Sequence, residues 1–295
     1  MAAAIFSSSS SLPRDGLSSS GHLPVPPSRG QPDSLKISDS RSRSSVEVGS
    51  LSFKASREAT VLAKEIAVCE PKKSKAHDEL DPFEEMKHSF LTFKNQQFLK
   101  NLDHFQNLAE AQTPKFMVIA CADSRVCPSK ILGIQPGDAF TIRNVANLVP
   151  AFESGPSETN AALEFAVNTL EVGNIFVIGH SRCGGIRALM SMQNEASASG
   201  FLENWVVTGR HARAAARVHS GSLSFDHQCK HCEKESINQS LLRLLTYPWI
   251  EDKVRRGKLS IHGGYYDFIS CTFEKWTLDY TGRQGYAIKD RCFWS

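Results

Sequence analysis

Short apolar runs alternate with amphipathic segments through most of the chain. The runs at 115–122 (KFMVIACA) and 174–180 (NIFVIGH) lack polar alternation, which is typical of parallel strands covered on both faces. A third strand is predicted at 138–144, and 157–170 has the periodicity of a helix with Ser157 as its N-cap. This order predicts an α/β fold with a mainly parallel central sheet flanked by helices.

The same alternation continues towards the C-terminus. Three further helices and then two closing strands are predicted there: 184–192, 201–218 and 231–249, followed by 258–268 and 270–280. We therefore assign residues 113–285 to an α/β domain and residues 286–295 to a C-terminal tail.

Large apolar side chains recur at three- to five-residue steps before the first strand. They lie within 78–112, at Phe90, Phe93, Phe98, Leu99, Leu102 and Phe105. This spacing predicts a pair of amphipathic helices. We treat 61–112 as an N-terminal helical arm whose apolar face packs against a domain or a partner subunit.

The first 60 residues differ in composition from the rest. They are rich in serine, contain proline, and carry more basic than acidic residues. Such a segment buries too little apolar area to fold alone. It fits a disordered tail and, better, an organelle transit peptide, and it lacks the apolar core of a secretory signal. Import into the chloroplast is expected, with the mitochondrion as the alternative.

Composition and charge exclude several classes of function. The 295 residues are 41% hydrophobic, yet no run approaches the roughly 18 to 20 apolar residues of a membrane span. A formal net charge of +3, with scattered basic residues, argues against nucleic acid as a partner. Eight cysteines in a chain too large to need disulfides indicate metal or thiol chemistry in a reducing compartment.

Three metal-capable side chains follow two of the predicted strands. Cys121 ends the first strand, and His180 and Cys183 lie in GHSRCGG, where glycines permit a sharp turn. Because functional groups gather past the carboxyl ends of parallel strands, these side chains are expected to converge on one ion. Singly, each is better explained as an ordinary buried residue. Together they predict one zinc ion per chain, with a fourth position open to water as in catalytic sites.

An acid and a base lie two residues apart directly after Cys121. A free Asp123 carboxylate would compete for the open position of the metal, whereas a two-pronged ion pair with Arg125 presents it as a hydrogen-bond acceptor. A surface ion pair explains the spacing alone equally well. The position beside a metal ligand favours the functional interpretation.

A second cysteine cluster opens a predicted helix. It contains His227, Cys229, His231 and Cys232. A C-x-x-C pair is typical of zinc or thiol-redox sites, but no partner pair stands at finger-like spacing. A structural or incidental role is favoured over a redox role and over a second zinc ion, and all three stay open.

The motifs CADSRV and GHSRCGGI resemble those of β-class carbonic anhydrases of the plant organellar type, with similar flanks over roughly residues 80–280. The resemblance implies reversible hydration of carbon dioxide to bicarbonate and a proton by zinc-bound hydroxide. It assigns these residues: zinc ligands Cys121, His180 and Cys183; catalytic Asp123 and Arg125; substrate-binding Gln112, Phe140, Val145 and Gly184. It also implies a homodimer or larger homo-oligomer, with N-terminal helices wrapping the partner and the cleft at the subunit boundary.

Two positions depart from the plant pattern. Phe165 stands where a tyrosine is frequent and Thr169 where a histidine is frequent, so the route by which a proton leaves the site is open. Three other functions use the same residues. They are a bicarbonate-binding or sensing protein with little catalysis, a carbonyl sulfide or carbon disulfide hydrolase, and an enzyme with Cys121 or Cys127 as nucleophile.

Overall fold

The computed structural model describes residues 81–193, 200–280, 282 and 285–295. Its strands are β1 (Phe116–Cys121), β2 (Ala139–Asn144), β3 (Asn174–His180), β4 (Ser260–Asp267), β5 (Thr272–Tyr280) and β6 (Tyr286–Trp294). Its α-helices are α1 (Pro82–Phe93), α2 (Leu102–Glu110), α3 (Pro128–Leu132), α4 (Glu158–Glu164), α5 (Gly184–Ser191), α6 (Phe201–Val206), α7 (Arg210–Ser220), α8 (Phe225–Leu244) and α9 (Pro248–Arg255). The expectations for the transit segment 1–60 and for the start of the arm, 61–80, lie outside the described residues.

The strands form one sheet in the order β2-β1-β3-β4-β5-β6. The first four strands in this order are parallel, and β5 and β6 run antiparallel to their neighbours. The register pairs Cys121 with Asn144 on one side and Ala120 with Ile178 on the other. The carboxyl ends of β1, β2 and β3 therefore meet at one edge, and the mainly parallel sheet flanked by helices is confirmed.

Local sequence signals set several helix boundaries. The Ser157 side chain accepts a hydrogen bond from the Asn160 backbone N–H at 3.2 Å, which confirms Ser157 as the N-cap of α4. Helix α1 begins with Pro82 after Asp81, whose carboxylate accepts from the Phe83 N–H at 3.0 Å. The chain therefore satisfies N–H groups that have no partner inside the helix.

The larger core lies between one face of the sheet and helices α4, α8 and α9. Its fully buried members include Met117, Ile119, Ile175, Val177, Leu163, Ile237, Leu241 and Leu244. Burying each such side chain contributes about 1.5–3 kcal/mol. At Gly179 a Cβ atom would lie only 2.7 Å from Ile237 Cδ1, so α8 packs directly on the end of β3. That contact brings α8 next to the strand ends.

Two expectations need correction. The segment 286–295, assigned to a tail, forms the edge strand β6, whose Trp294 stacks on Phe273 at 5.0 Å between ring centroids. Its apolar residues are interrupted by Lys289, Asp290 and Arg291, so the segment shows neither a continuous apolar run nor strict alternation. The helix expected at 201–218 divides into α6 and α7 at Gly209, where a Cβ atom would lie 2.7 Å from Leu189 Cδ2.

The arm within the described residues consists of α1 and α2 with a π-helical turn, Lys94–Phe98, between them. The ring centroids of Phe93 and Phe105 lie 5.7 Å apart, so the two helices contact each other. Neither helix buries a residue, and Phe83, Met86 and Phe90 are each more than 60% exposed. The helix pair is thus confirmed, with an apolar face that the described part of this chain leaves uncovered.

None of the helices in the described segments has the length and apolar character needed to cross a membrane.

Candidate metal centre

Two thiols and one imidazole converge where β1 and β3 end. Cys121 is the last residue of β1, His180 is the last residue of β3, and Cys183 is the N-cap of α5. The two Sγ atoms lie 3.9 Å apart, and one ligand atom from each of the three residues lies within 4.8 Å of the others. All three side chains are at least 96% buried. The structure therefore brings together the three residues expected to bind the metal.

The imidazole of His180 is oriented for metal binding. Its Nδ1 lies 2.9 Å from the Ser181 carbonyl oxygen, to which it donates, so the lone pair is on Nε2. Nε2 is buried and has no partner with hydrogen-bond geometry among the described residues. A buried polar atom without a partner is costly, and a metal ion removes that cost. Two sulfurs and one such nitrogen are the donor set that zinc prefers.

The thiols and the imidazole form a charged cluster. The contact with Cys183, which outweighs the effect of burial, lowers the pKa of Cys121 to about 4. The same contact raises the pKa of Cys183 above its ordinary range, because the two sulfurs share one proton. Burial works against a charged His180, but the Cys121 thiolate raises the pKa of the imidazole overall. The cluster thus holds negative charge on sulfur that a divalent cation neutralises.

Asp123 and Arg125 form the two-pronged ion pair expected from their spacing. Arg125 Nε donates to Asp123 Oδ1 at 2.9 Å, and an Arg125 terminal nitrogen donates to Oδ2 at 2.6 Å. The guanidinium holds the pKa of the Asp123 carboxyl well below its usual range. The Asp123 carboxylate is mostly buried, whereas the Arg125 guanidinium is half exposed. Asp123 is therefore a fixed, ionised acceptor two residues from Cys121.

Two residues not singled out in the sequence hold this pair in place. Arg143 of β2 donates to the carbonyl oxygens of Cys121 and Asp123 at 2.9 and 2.6 Å. The Phe268 ring lies 4.5 Å from the Arg125 guanidinium carbon and stacks against the His180 ring at 6.2 Å between centroids. One aromatic side chain thus contacts both the Arg125 guanidinium and the His180 imidazole.

A buried carboxylate contacts the backbone of Cys183. Glu233 of α8 is 3% exposed, and its Oε1 accepts a hydrogen bond from the Cys183 N–H at 3.0 Å. Its Oε2 accepts from the Tyr265 hydroxyl of β4 at 2.8 Å. Neither residue was assigned a role from the sequence, because no spacing rule connects a helix or a fourth strand to this loop.

The expected substrate-binding residues divide into two groups. Val145 follows β2 directly, and its Cγ1 lies 2.6 Å from where a Cβ of Gly185 would be, so it contacts the start of α5 beside Gly184. Phe140 lies beside Met117, four positions before the strand end, and its ring contacts Phe165 at 5.5 Å between centroids. The structure thus brings Val145 and Gly184 to the centre but places Phe140 farther back in the sheet.

Gln112 lies between α2 and β1 and is exposed. Among the described residues, no hydrogen bond or ion pair joins it to the three metal-binding residues. Phe165, which contacts Phe140, is 40% exposed, and Thr169 is also exposed. These four residues therefore lie outside the centre within one chain.

The second cysteine cluster lies on α8 and has no metal-binding geometry. Cys229 and Cys232 are buried, whereas His227 and His231 are exposed on the helix. Burial raises the pKa of the Cys232 thiol to about 12. In the described segments, the three-residue group suited to a metal is the one at the strand ends. This favours the structural interpretation of the C-x-x-C pair over a second zinc site.

A cavity of about 550 Å³ borders the same loop. Its lining includes Cys183, Glu233 and Tyr265, together with Arg182, Arg187 and Lys230, but neither Cys121 nor Asp123. The cations Arg187 and Lys230 form ion pairs with Asp226 and Asp267 at 2.7 and 3.1 Å. Of the three candidate metal-binding residues, Cys183 alone lines this cavity.

The chain is similar to known proteins of one family. A family model described as carbonic anhydrase matches residues 116–272. Beta carbonic anhydrase 5, chloroplastic, of Arabidopsis thaliana is 61% identical over 222 residues, which cover 73% of this chain and 74% of the relative. Beta carbonic anhydrase 6, mitochondrial, of the same organism is 56% identical over 218 residues, covering 73% and 75%.

Solved structures agree with the fold. The β-carbonic anhydrase CcaA superposes with a TM-score of 0.62 at 27% identity, covering 68% of this chain and 93% of that one. A tetrameric β-carbonic anhydrase from Sordaria macrospora gives 0.59 at 27% identity, covering 66% and 96%.

Proposed function

Because the chain belongs to the β-class carbonic anhydrase family, we propose that Cys121, His180 and Cys183 hold the zinc ion of its active site. The protein is a zinc-dependent lyase that hydrates carbon dioxide reversibly to bicarbonate and a proton. One observation supports the residue assignment most strongly. Two buried thiols and a buried, unpartnered imidazole nitrogen meet where two parallel strands end.

Zinc, when bound, supplies Lewis acidity and lowers the pKa of a coordinated water, which makes that water a nucleophile. The chain supplies orientation. Asp123 stays ionised and keeps lone pairs free for a hydrogen bond from the attacking water, because Arg125 holds the carboxylate from one side. The same ion pair keeps the Asp123 carboxylate from turning towards the metal. Asp123 and Arg125 are thus the proposed catalytic pair.

We propose that the substrate pocket contains residues from two subunits. Val145 and Gly184 lie beside the metal centre in one chain, whereas Gln112 and Phe140 lie away from it. The uncovered apolar face of α1 and α2 supports a homo-oligomer in which the arm packs on a partner. A related enzyme from Sordaria macrospora is tetrameric. Sedimentation of the wild-type chain and of a variant with Phe83 and Phe90 replaced by serine tests this: the variant is expected to be monomeric.

The chloroplast is the location supported by similarity, with the mitochondrion as the alternative, because the relatives at 61% and 56% identity are named chloroplastic and mitochondrial. We propose that residues 1–60 act as the transit peptide. Fusion of these residues to a fluorescent protein tests the proposal, and a cytosolic signal from the fusion contradicts it.

Metal content and hydration rate, measured on the same sample, test the proposed site. We expect one zinc per chain and rapid hydration of carbon dioxide, lost on removal of zinc by a chelator and restored when zinc is added back. One zinc with no hydration activity would support the bicarbonate-binding alternative. Inactivation by a thiol-alkylating reagent but not by a chelator would support a cysteine nucleophile.

A further inference from the structure

Glu233 is a buried carboxylate that no Lys or Arg in the described part of the chain reaches at ion-pair distance. Its two oxygens instead accept hydrogen bonds, from the Cys183 N–H at 3.0 Å and from the Tyr265 hydroxyl at 2.8 Å. A buried carboxylate is normally retained only where several donors offset its loss of hydration. The Cys183 N–H belongs to the loop that carries this proposed zinc ligand, and the Tyr265 hydroxyl belongs to β4.

The loop formed by residues 181–183 needs this support because of its backbone conformation. Arg182 has φ +53°, in the left-handed region that a non-glycine residue adopts only when the surroundings enforce it. Cys183 is the N-cap of α5 but makes no side-chain cap, and it is 2% exposed. Its N–H therefore depends on a protein acceptor, which Glu233 provides.

The carboxylate joins three elements at this point. Glu233 comes from α8 and Tyr265 from β4, while Cys183 follows β3. The Tyr265 ring is itself fixed by Lys234, whose Nζ lies 4.9 Å from the ring centroid. These contacts tie the Cys183 backbone to both α8 and β4.

We propose that Glu233 and Tyr265 are positioning residues for the zinc ligand Cys183: Glu233 accepts from the Cys183 N–H, and Tyr265 orients Glu233 through its own hydrogen bond to the carboxylate. This inference rests on the proposed function, because it takes Cys183 as a ligand of zinc. It assigns to the α8–β4 pair a role in retaining the metal rather than in contacting the substrate. Groups that orient metal ligands typically change metal affinity by about 10- to 100-fold when they are removed.

Two variants of Glu233 distinguish loss of its charge from loss of its hydrogen bonds. In Glu233→Gln the remaining oxygen still accepts from the Cys183 N–H, and the amide donates to the Tyr265 oxygen. In Glu233→Ala both bonds are lost. The isosteric variant is therefore expected to retain the function of the loop, and the truncated variant is expected to lose it.

The experiment measures zinc release from the full-length protein to a colorimetric chelator and the absorption spectrum after replacement of zinc by cobalt. In cobalt proteins the thiolate-to-metal bands report how the sulfur ligands are placed. Glu233→Ala is expected to bind zinc about 10- to 100-fold more weakly and to change these bands. Glu233→Gln is expected to stay within about threefold of wild type, and Tyr265→Phe to fall between the two.

Glu251→Ala provides a matched control. The Glu251 carboxylate also accepts from a tyrosine hydroxyl, that of Tyr280, at 3.2 Å, and contacts none of the metal-binding residues. It is expected to leave zinc release and the cobalt spectrum unchanged. Thermal unfolding of the zinc-free variants separates a loss of folding from a loss of zinc affinity.

Unchanged zinc release and cobalt spectra in Glu233→Ala overturn the proposal, as does a Glu233→Gln variant that is as impaired as Glu233→Ala. If Glu233→Ala does not fold, Tyr265→Phe decides, and zinc affinity equal to wild type in that variant overturns the proposal. A wild-type chain that holds no zinc instead contradicts the assignment of Cys121, His180 and Cys183.

Discussion

The described part of the chain contains two pairs of buried cysteines that differ in their spacing and in their neighbours. Cys121 and Cys183 are separated by 62 positions, yet their sulfurs lie 3.9 Å apart beside the unpartnered His180 Nε2. Cys229 and Cys232 are three positions apart on α8 and lie within the same apolar cluster as the first pair. Proximity in the sequence is thus a poor guide to which pair has metal-binding geometry.

The geometry of the two elements explains this difference. On α8, residues three apart share a face, so both thiols point into the core while His227 and His231 face solvent. At the ends of β1 and β3, parallel strands bring residues from distant parts of the chain to one edge. The strand ends therefore supply both sulfur and nitrogen to one point, which the helix does not.

Replacing a proposed ligand gives the largest expected difference between the two pairs. Cys121→Ser or Cys183→Ser removes a thiolate, and a serine hydroxyl does not ionise near neutral pH, so the variants are expected to lose zinc and to hydrate carbon dioxide on the order of 10³-fold more slowly. Cys229→Ser and Cys232→Ser are expected to keep one zinc per chain. Metal analysis and stopped-flow hydration assays measure both effects. Loss of zinc from Cys229→Ser would break the comparison.

Thiol reactivity gives the next largest difference. Burial raises the pKa of Cys232 to about 12 from an ordinary value of 9.0, so its thiolate fraction at pH 8 is about a thousandfold smaller than that of an ordinary thiol. Iodoacetamide at pH 8 is therefore expected to leave Cys232 unlabelled in the folded, zinc-loaded protein, while the exposed Cys271 reacts. Mass spectrometry of the labelled peptides measures the two rates. Similar rates would show that Cys232 is a reactive thiol and would revive the redox interpretation.

The raised pKa of Cys232 also makes the free energy of unfolding depend on pH. Because the folded-state pKa of Cys232 lies above its unfolded value, folding is favoured below pH 9 and this contribution is lost as the pH rises from about 9 towards about 12. Cys232→Ala is therefore expected to have a shallower loss of stability over that range than wild type. Urea midpoints at pH 8, 9 and 10 measure the difference.

The sequence was sufficient to predict the strands and the candidate ligands where an apolar run leads directly into metal-capable side chains. Apolar runs without alternation predicted β1 and β3, and the residues at and just after their ends were expected to converge, as they do at the candidate metal centre. Glu233 was not predictable, because it reaches Cys183 from a helix 50 positions later through tertiary packing alone. β6 was missed because Lys289, Asp290 and Arg291 interrupt its apolar residues, which leaves neither a run nor an alternation.

The substrate pocket marks a second limit. Val145 and Gly184 adjoin the metal-binding residues in the chain's own fold, but Gln112 and Phe140 do not. Motif resemblance names residues without saying which subunit they serve. That information depends on the assembly, which a single chain does not contain.

Asp123→Asn sharpens the comparison within the metal centre itself. The amide has nearly the same shape as the carboxylate but loses the charge that Arg125 pairs with, so it is a poorer acceptor for the attacking water. We expect zinc to stay bound while the hydration rate falls by about 10²-fold. The variant therefore separates catalysis from metal binding, which the cysteine variants remove together. Zinc loss from Asp123→Asn would mean that the carboxylate supports the metal rather than the water.

Cys232→Ser gives the smallest expected effect and isolates the packing role of the α8 pair. The side chain is fully buried in an apolar cluster, so a hydroxyl there is expected to lower the free energy of unfolding by about 1–2 kcal/mol. Cys229→Ser is expected to cost less, because Cys229 is 5% exposed and lines the 550 Å³ cavity. Urea unfolding of the zinc-loaded variants measures both changes. An unchanged midpoint together with reduced zinc content in Cys232→Ser would reverse the roles assigned to the two cysteine pairs.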